Sequence, residues 1–122
     1  MPSPPVVALV GLVPAVADAA AAALADEGYA AVALPLDADA VRHLARTPPA
    51  VVVFDGHAYA NTRAFLADLR ARPATAGVPV VVLGPERPDE VPRFEVVYRV
   101  GRAVALDQLL AAVHRAAGRL GG

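Results

Sequence analysis

Asp55 closes the apolar run Val51-Val-Val-Phe54, and His57 follows two residues later. A carboxylate there takes its chemistry from its neighbours, and the rest of the chain offers few. His43 and His114 lie in separate helix-like stretches, and no His, Asp or Glu group has metal-ligand spacing, so both are expected at the surface or its boundary. There is no Cys, which excludes disulfides, thiolate metal sites and a Cys nucleophile. Phosphate-cradling loops of the GxGxxG and Walker types are absent, as is a GxSxG elbow; Gly11, alone after the first apolar run, is weak support for a nucleotide site.

The string Asp55-Gly-His-Ala-Tyr-Ala60 nearly spells DxHxxG, a cobalamin-binding pattern. Ala60 replaces its last Gly, the loop follows the third apolar run where the motif would follow the first, and Ser3 is the only Ser, so none lies downstream. A cobalamin site is excluded on those grounds.

The elements that would position Asp55 follow from periodicity. Short apolar runs occur at Val6-Val10, Ala30-Leu34, Val51-Phe54, Val78-Leu83 and Val96-Val100. Near-continuous Val at 51–53 and 80–82 suits central parallel strands covered on both faces. Between the runs, Pro14 opens a helix through Ala19-Leu24 that Gly28 stops. Asp37 is placed to cap a second through His43 to Arg46, ended by Pro48 and Pro49, and Asn61 to cap a third carrying Phe65, Leu66 and Leu69. In the last helix Leu106, Leu109, Leu110, Val113 and Ala117 form an apolar stripe, with Gln108, Ala112, Arg115 and Arg119 on the other face. Prolines at 85, 88 and 92 leave the fourth helix short or irregular. Right-handed β-α units of this kind build a three-layer α/β sandwich.

The 122 residues suit one domain, 1–122. Hydrophobic residues at 57% and charged residues at 19% exclude charge-driven disorder, and a formal net charge of -1 gives no basic footprint for nucleic acid. The run Val6-Val13 is too short to span a membrane and has no basic segment before it, so a cytoplasmic location is the expectation. All eleven basic residues are Arg; Lys and Ile are absent.

The segment Leu69-Arg-Ala-Arg-Pro-Ala-Thr-Ala-Gly-Val-Pro-Val-Val-Val-Leu83 resembles the passage from third helix to fourth strand in response-regulator receiver domains, often LRADPATAGIPVIVLT. Val51-Val-Val-Phe-Asp55 resembles their third strand ending in the phospho-acceptor Asp, and Ala103-Val-Ala-Leu-Asp-Gln-Leu-Leu110 the entry to their fifth helix. The resemblance fails only between Gly84 and Arg93. It implies a flavodoxin-like (CheY-like) five-stranded parallel sheet of order 2-1-3-4-5, with Asp55 at the switch point where ligands of such sheets sit.

In receivers an acidic pair after strand one holds Mg²⁺, a Thr or Ser after strand four contacts the phosphoryl group, and a Lys follows strand five. Gly11 and Leu12 stand at the acidic-pair positions, Gly84 at the hydroxyl position and Arg102 at the Lys position, with Ala103 where Pro is usual. Asp55 alone keeps its identity, and one carboxylate is a poor set of oxygen ligands, so no useful Mg²⁺ site and no other cofactor is expected. A bidentate Arg102–Asp55 pair could tie strands three and five together without phosphate. Asp55 as a phospho-acceptor position and Asp55 as a remnant that caps a helix or loop both stay open.

The expected function is a receiver-like, non-enzymatic signalling domain, a pseudo-receiver serving as a phosphorylation-independent protein–protein interaction module. The alternatives are a two-component receiver phosphorylated on Asp55 and a small flavodoxin-like ligand-binding or enzymatic domain. The face made by the fourth-helix region, strand five and the last helix carries Arg87, Arg93, Arg99, Arg115 and Arg119, candidates for contact with a protein partner or a second copy. Tyr98 or Arg99 occupies the family's switch position in strand five, and alternation points only one of them inward.

Overall fold

In the computed structural model, residues 4–35, 38–55, 59–83, 95–97, 99–100, 103–104 and 106–118 are described. The strands β1 (Val6–Val10), β2 (Ala30–Leu34), β3 (Val51–Asp55), β4 (Val80–Leu83) and β5 (Glu95–Val97) form one sheet of order β2-β1-β3-β4-β5, every neighbouring pair parallel. The helices α1 (Pro14–Asp26), α2 (Ala38–Arg46), α3 (Tyr59–Ala71) and α4 (Leu106–Ala116) cover it. This is the flavodoxin-like sheet order expected from the sequence.

The Val-rich strands work because each successive side chain enters a different core. Val7, Leu9, Val51, Val53, Val81 and Leu83 pack with Ala20 and Leu24 of α1 and Leu109, Ala112 and Val113 of α4. Ala8, Val10, Val52, Phe54, Val80 and Val82 pack with Ala40, Val41 and Leu44 of α2 and Phe65, Leu66 and Leu69 of α3. Both faces of the three central strands are thus buried, which is the three-layer sandwich. Phe54 and Phe65 stack at 4.6 Å within the second core.

Local chemistry sets the helix ends. Pro14 takes the first position of α1, where its missing N–H costs nothing. At the other end Gly28 has φ of 88°, its N–H donates to the Ala25 carbonyl (3.1 Å), and the Tyr29 N–H donates to the Leu24 carbonyl (3.0 Å). That is a Schellman turn, sealed by Tyr29 and Leu24 in one core.

Four sequence expectations are corrected. Asn61 lies inside α3, which begins at Tyr59; it occupies the first turn, where N–H groups are still unpaired, so a cap-type residue is tolerated without being the cap. Ala112 is fully buried, because Leu109, Ala112 and Val113 follow the i, i+3, i+4 spacing and a small side chain lets α4 sit close to the sheet. The fourth strand begins at Val80, after Pro79. The fifth apolar run is divided: β5 ends at Val97, while β6 (Arg99–Val100) pairs antiparallel with β7 (Ala103–Val104) in a separate hairpin. The short strand β7 gives Arg99 and Val100 a partner nearby in sequence, which competes with extension of the sheet. Asp37 and the proline-rich interval after β4 lie outside the described residues.

Candidate functional site at the carboxyl ends of the strands

The chain runs from β1 outward to β2 and then returns past β1 to β3, so the topology reverses between β1 and β3. Asp55 is the last residue of β3, one beyond the Val10–Phe54 pair and in register with Leu83 at the end of β4. Its backbone therefore sits at the crevice where a ligand of such a sheet would bind.

The neighbouring β1 end is built without carboxylates. Gly11 has φ of 73°, a left-handed conformation that glycine adopts freely, and its N–H donates to the Leu34 carbonyl at 3.0 Å. That bond carries the β1–β2 ladder one step past the strand. Leu12 then folds back, partly buried, against the core shared by α1 and α4. Neither residue has a side-chain oxygen, and Leu12 occupies its place as a packing group. Gly11 and Leu12 thus offer no side-chain oxygen of the kind a hard divalent cation takes from carboxylates.

The other positions named from sequence are placed unevenly. Gly84, Arg87, Arg93, Tyr98, Arg102, Arg119 and His57 lie outside the described residues. Arg99 is in β6, off the main sheet. Arg115 is exposed on α4, which packs against β4, β5 and α1.

The segment that carries the resemblance is structural in what it does. The Thr75 hydroxyl, fully buried, donates to the Leu69 carbonyl at 2.7 Å. Arg70 donates to the carbonyls of Ala76 (2.8 Å) and Val78 (3.0 Å), clamping the turn between α3 and β4. The orphan carbonyls of a helix end and the loop beyond it are satisfied by two side chains of the motif itself. This turn lies at the opposite end of β4 from Leu83, so the Arg70 and Thr75 contacts hold the entry to β4 and lie away from the crevice.

Sequence reasoning missed two arrangements. Tyr29 and His114 meet at 2.8 Å between the phenolic oxygen and Nδ1, a contact between elements far apart in the chain. Arg42, His43 and Arg46 of α2 line a groove with Arg72, beside β2. Their i, i+1 and i+4 spacing marked one polar helix face and carried no sign of what lay across from it.

No protein-family model and no curated protein sequence matches the chain. Solved structures do. A chemotaxis response regulator of Vibrio cholerae is 16% identical with a TM-score of 0.74, covering 92% of this chain and 98% of that one. A response regulator from Desulfuromonas acetoxidans is 19% identical with a TM-score of 0.71, covering 94% and 97%. The receiver domain of a sensor histidine kinase from Pseudomonas aeruginosa, which holds a magnesium ion in its active-site cleft, is 20% identical with a TM-score of 0.70, covering 94% and 98%. Together with the sheet order and the two cores, these likenesses establish that this chain has the fold of the response-regulator receiver domains.

Proposed function

We propose that this chain is a receiver-like signalling domain that does not use phosphotransfer and acts as a protein–protein interaction module. The observation that supports the reading is Leu12: where the resemblance asks for a cation-binding carboxylate, an apolar side chain packs into the core instead. Phosphoryl transfer rests on positioning and charge neutralisation, and without the cation Asp55 has no counter-charge from β1. An Arg102–Asp55 pair would then hold the crevice in one state permanently, and recognition would depend on shape. The partner, another protein or a second copy, would dock on the face of β5 and α4 that includes Arg115.

The test is incubation with a small-molecule phosphodonor and Mg²⁺, followed by intact mass measurement. Unchanged mass is expected; a phosphoryl adduct on Asp55 overturns the proposal. The adduct would establish the second reading, a working phospho-acceptor, which the placement of Asp55 at the end of β3 favours. Arg102→Ala provides an independent check, with loss of stability or of partner binding expected and an unaltered protein counting against the pair.

A further inference from the structure

β2 ends the sheet on the side away from β5, and its outer edge has no strand against it among the described residues. The phase of the ladder follows from its two ends. Ala30 donates its N–H to the Pro5 carbonyl (2.9 Å), and the Leu34 carbonyl accepts from Gly11 (3.0 Å), so the even-numbered residues of β2 face β1. Ala31 and Ala33 therefore aim their N–H and C=O groups outward. Sheet edges are normally protected by charged side chains, bulges or Pro within the strand. The sequence of β2, Ala-Ala-Val-Ala-Leu, has none of these; Pro35 only terminates it.

At the carboxyl end of β2 lies a groove of about 570 Å³ lined by Leu34 and Pro35, by Ala40, Arg42 and Arg46 of α2, and by Arg72. Its cations outnumber its one acid, Asp39, in a chain whose net charge is -1. Arg42 pairs with Asp39, and Arg72 pairs with Asp68 at 3.3 Å, both in exposed contacts that exchange cheaply with another anion. Arg46 is exposed and has no ion pair among the described residues. Val32, 38% exposed, shares the α2 side of β2 with Leu34.

We propose that an extended acidic segment of a partner protein docks here, adding a strand to β2 through Ala31 and Ala33 and placing carboxylates against Arg42, Arg46 and Arg72. Backbone pairing supplies affinity, and the arginines supply choice of partner. A second copy of this chain is a poorer occupant: edge-to-edge pairing would bring a second set of the same three arginines to the same seam. The surface lies at the opposite edge of the sheet from the β5 and α4 face, and it does not depend on whether Asp55 takes a phosphoryl group.

The probe is a synthetic peptide of about eight residues, a strand's length, alternating Glu and Val. Controls are a Lys–Val peptide and a Glu–Pro peptide, which keeps the charge while its prolines hold φ at about −65°, away from the strand conformation. Expected results are binding of the Glu–Val peptide alone, downfield shifts and exchange protection at the Ala31 and Ala33 amides, and about tenfold weaker binding in Arg46→Glu, the scale of one charge-assisted contact. Ala33→Pro removes an outward N–H at an edge position that tolerates Pro, and should abolish binding with unchanged circular dichroism. Should that variant fail to fold, Arg46→Glu on the exposed face of α2 still decides. Equal binding of the Glu–Pro peptide would mean an anion site without strand addition and would overturn the proposal. So would binding of the Lys–Val peptide, no binding at all, or a dimer of the free protein that disperses in Ala33→Pro.

Discussion

Tyr29 and His114 join the start of β2 to the end of α4: the phenolic oxygen lies 2.8 Å from Nδ1 across 85 positions of sequence, with the ring centroids 5.4 Å apart. Tyr29 is buried, and its hydroxyl reaches a partly exposed imidazole. The other ring nitrogen, Nε2, lies 3.9 Å from Glu27 Oε2. The hydrogen bond adds to their shared core in fastening the last helix to the turn that ends α1.

Tyr29→Phe keeps the packing and removes that bond. The expected cost is about 1 kcal/mol, read as a lower urea midpoint at constant slope. A double-mutant cycle with His114→Ala should give a coupling of about 0.5–1.5 kcal/mol, and additive effects would show that the contact does not stabilise the fold.

Thr75→Val is nearly isosteric and tests the turn after α3. It leaves the buried Leu69 carbonyl without its 2.7 Å donor. Stability should fall by about 1–3 kcal/mol in chemical denaturation, more than an exposed Thr would cost.

Gly28→Ala isolates backbone strain. A Cβ at this position meets nothing within 4 Å, so no clash contributes, and the φ of 88° remains. The loss should be about 1–2 kcal/mol, and Asn at the same position should lose less.

Leu12→Asp puts a carboxylate back where the resemblance implies one. Because Leu12 is partly buried against the α1/α4 core, the variant should be destabilised by about 1 kcal/mol. The unfolding midpoint of the unaltered chain should not rise with Mg²⁺ beyond a control salt of equal ionic strength. A Mg²⁺-specific rise would reveal binding to the native state through linkage.

The strands were legible because every second residue of β1, β3 and β4 is apolar on each side, leaving no reading except a sheet covered twice. The segment from Leu69 to Leu83 was legible as a family pattern, and its buried Thr75 and the Arg70 clamp explain why those residue types stand there. The candidate crevice was legible only in outline. Asp55 and Gly11 could be located by position, while the inward packing of Leu12 needed the third dimension.

Local sequence determined where β1, β2, β3 and α1 begin, because apolar period and Pro14 act within a few residues, and it misplaced the starts of α3 and β4. Tertiary structure alone decided three other things: that Ala112 faces inward, that the run after Glu95 divides between the sheet and a hairpin, and that Tyr29 meets His114. Each of these depends on which distant surface arrives opposite. A side chain's own identity restricts that choice without making it: an alanine is accepted on either face of a helix, and a short β-prone run pairs with whichever edge is near.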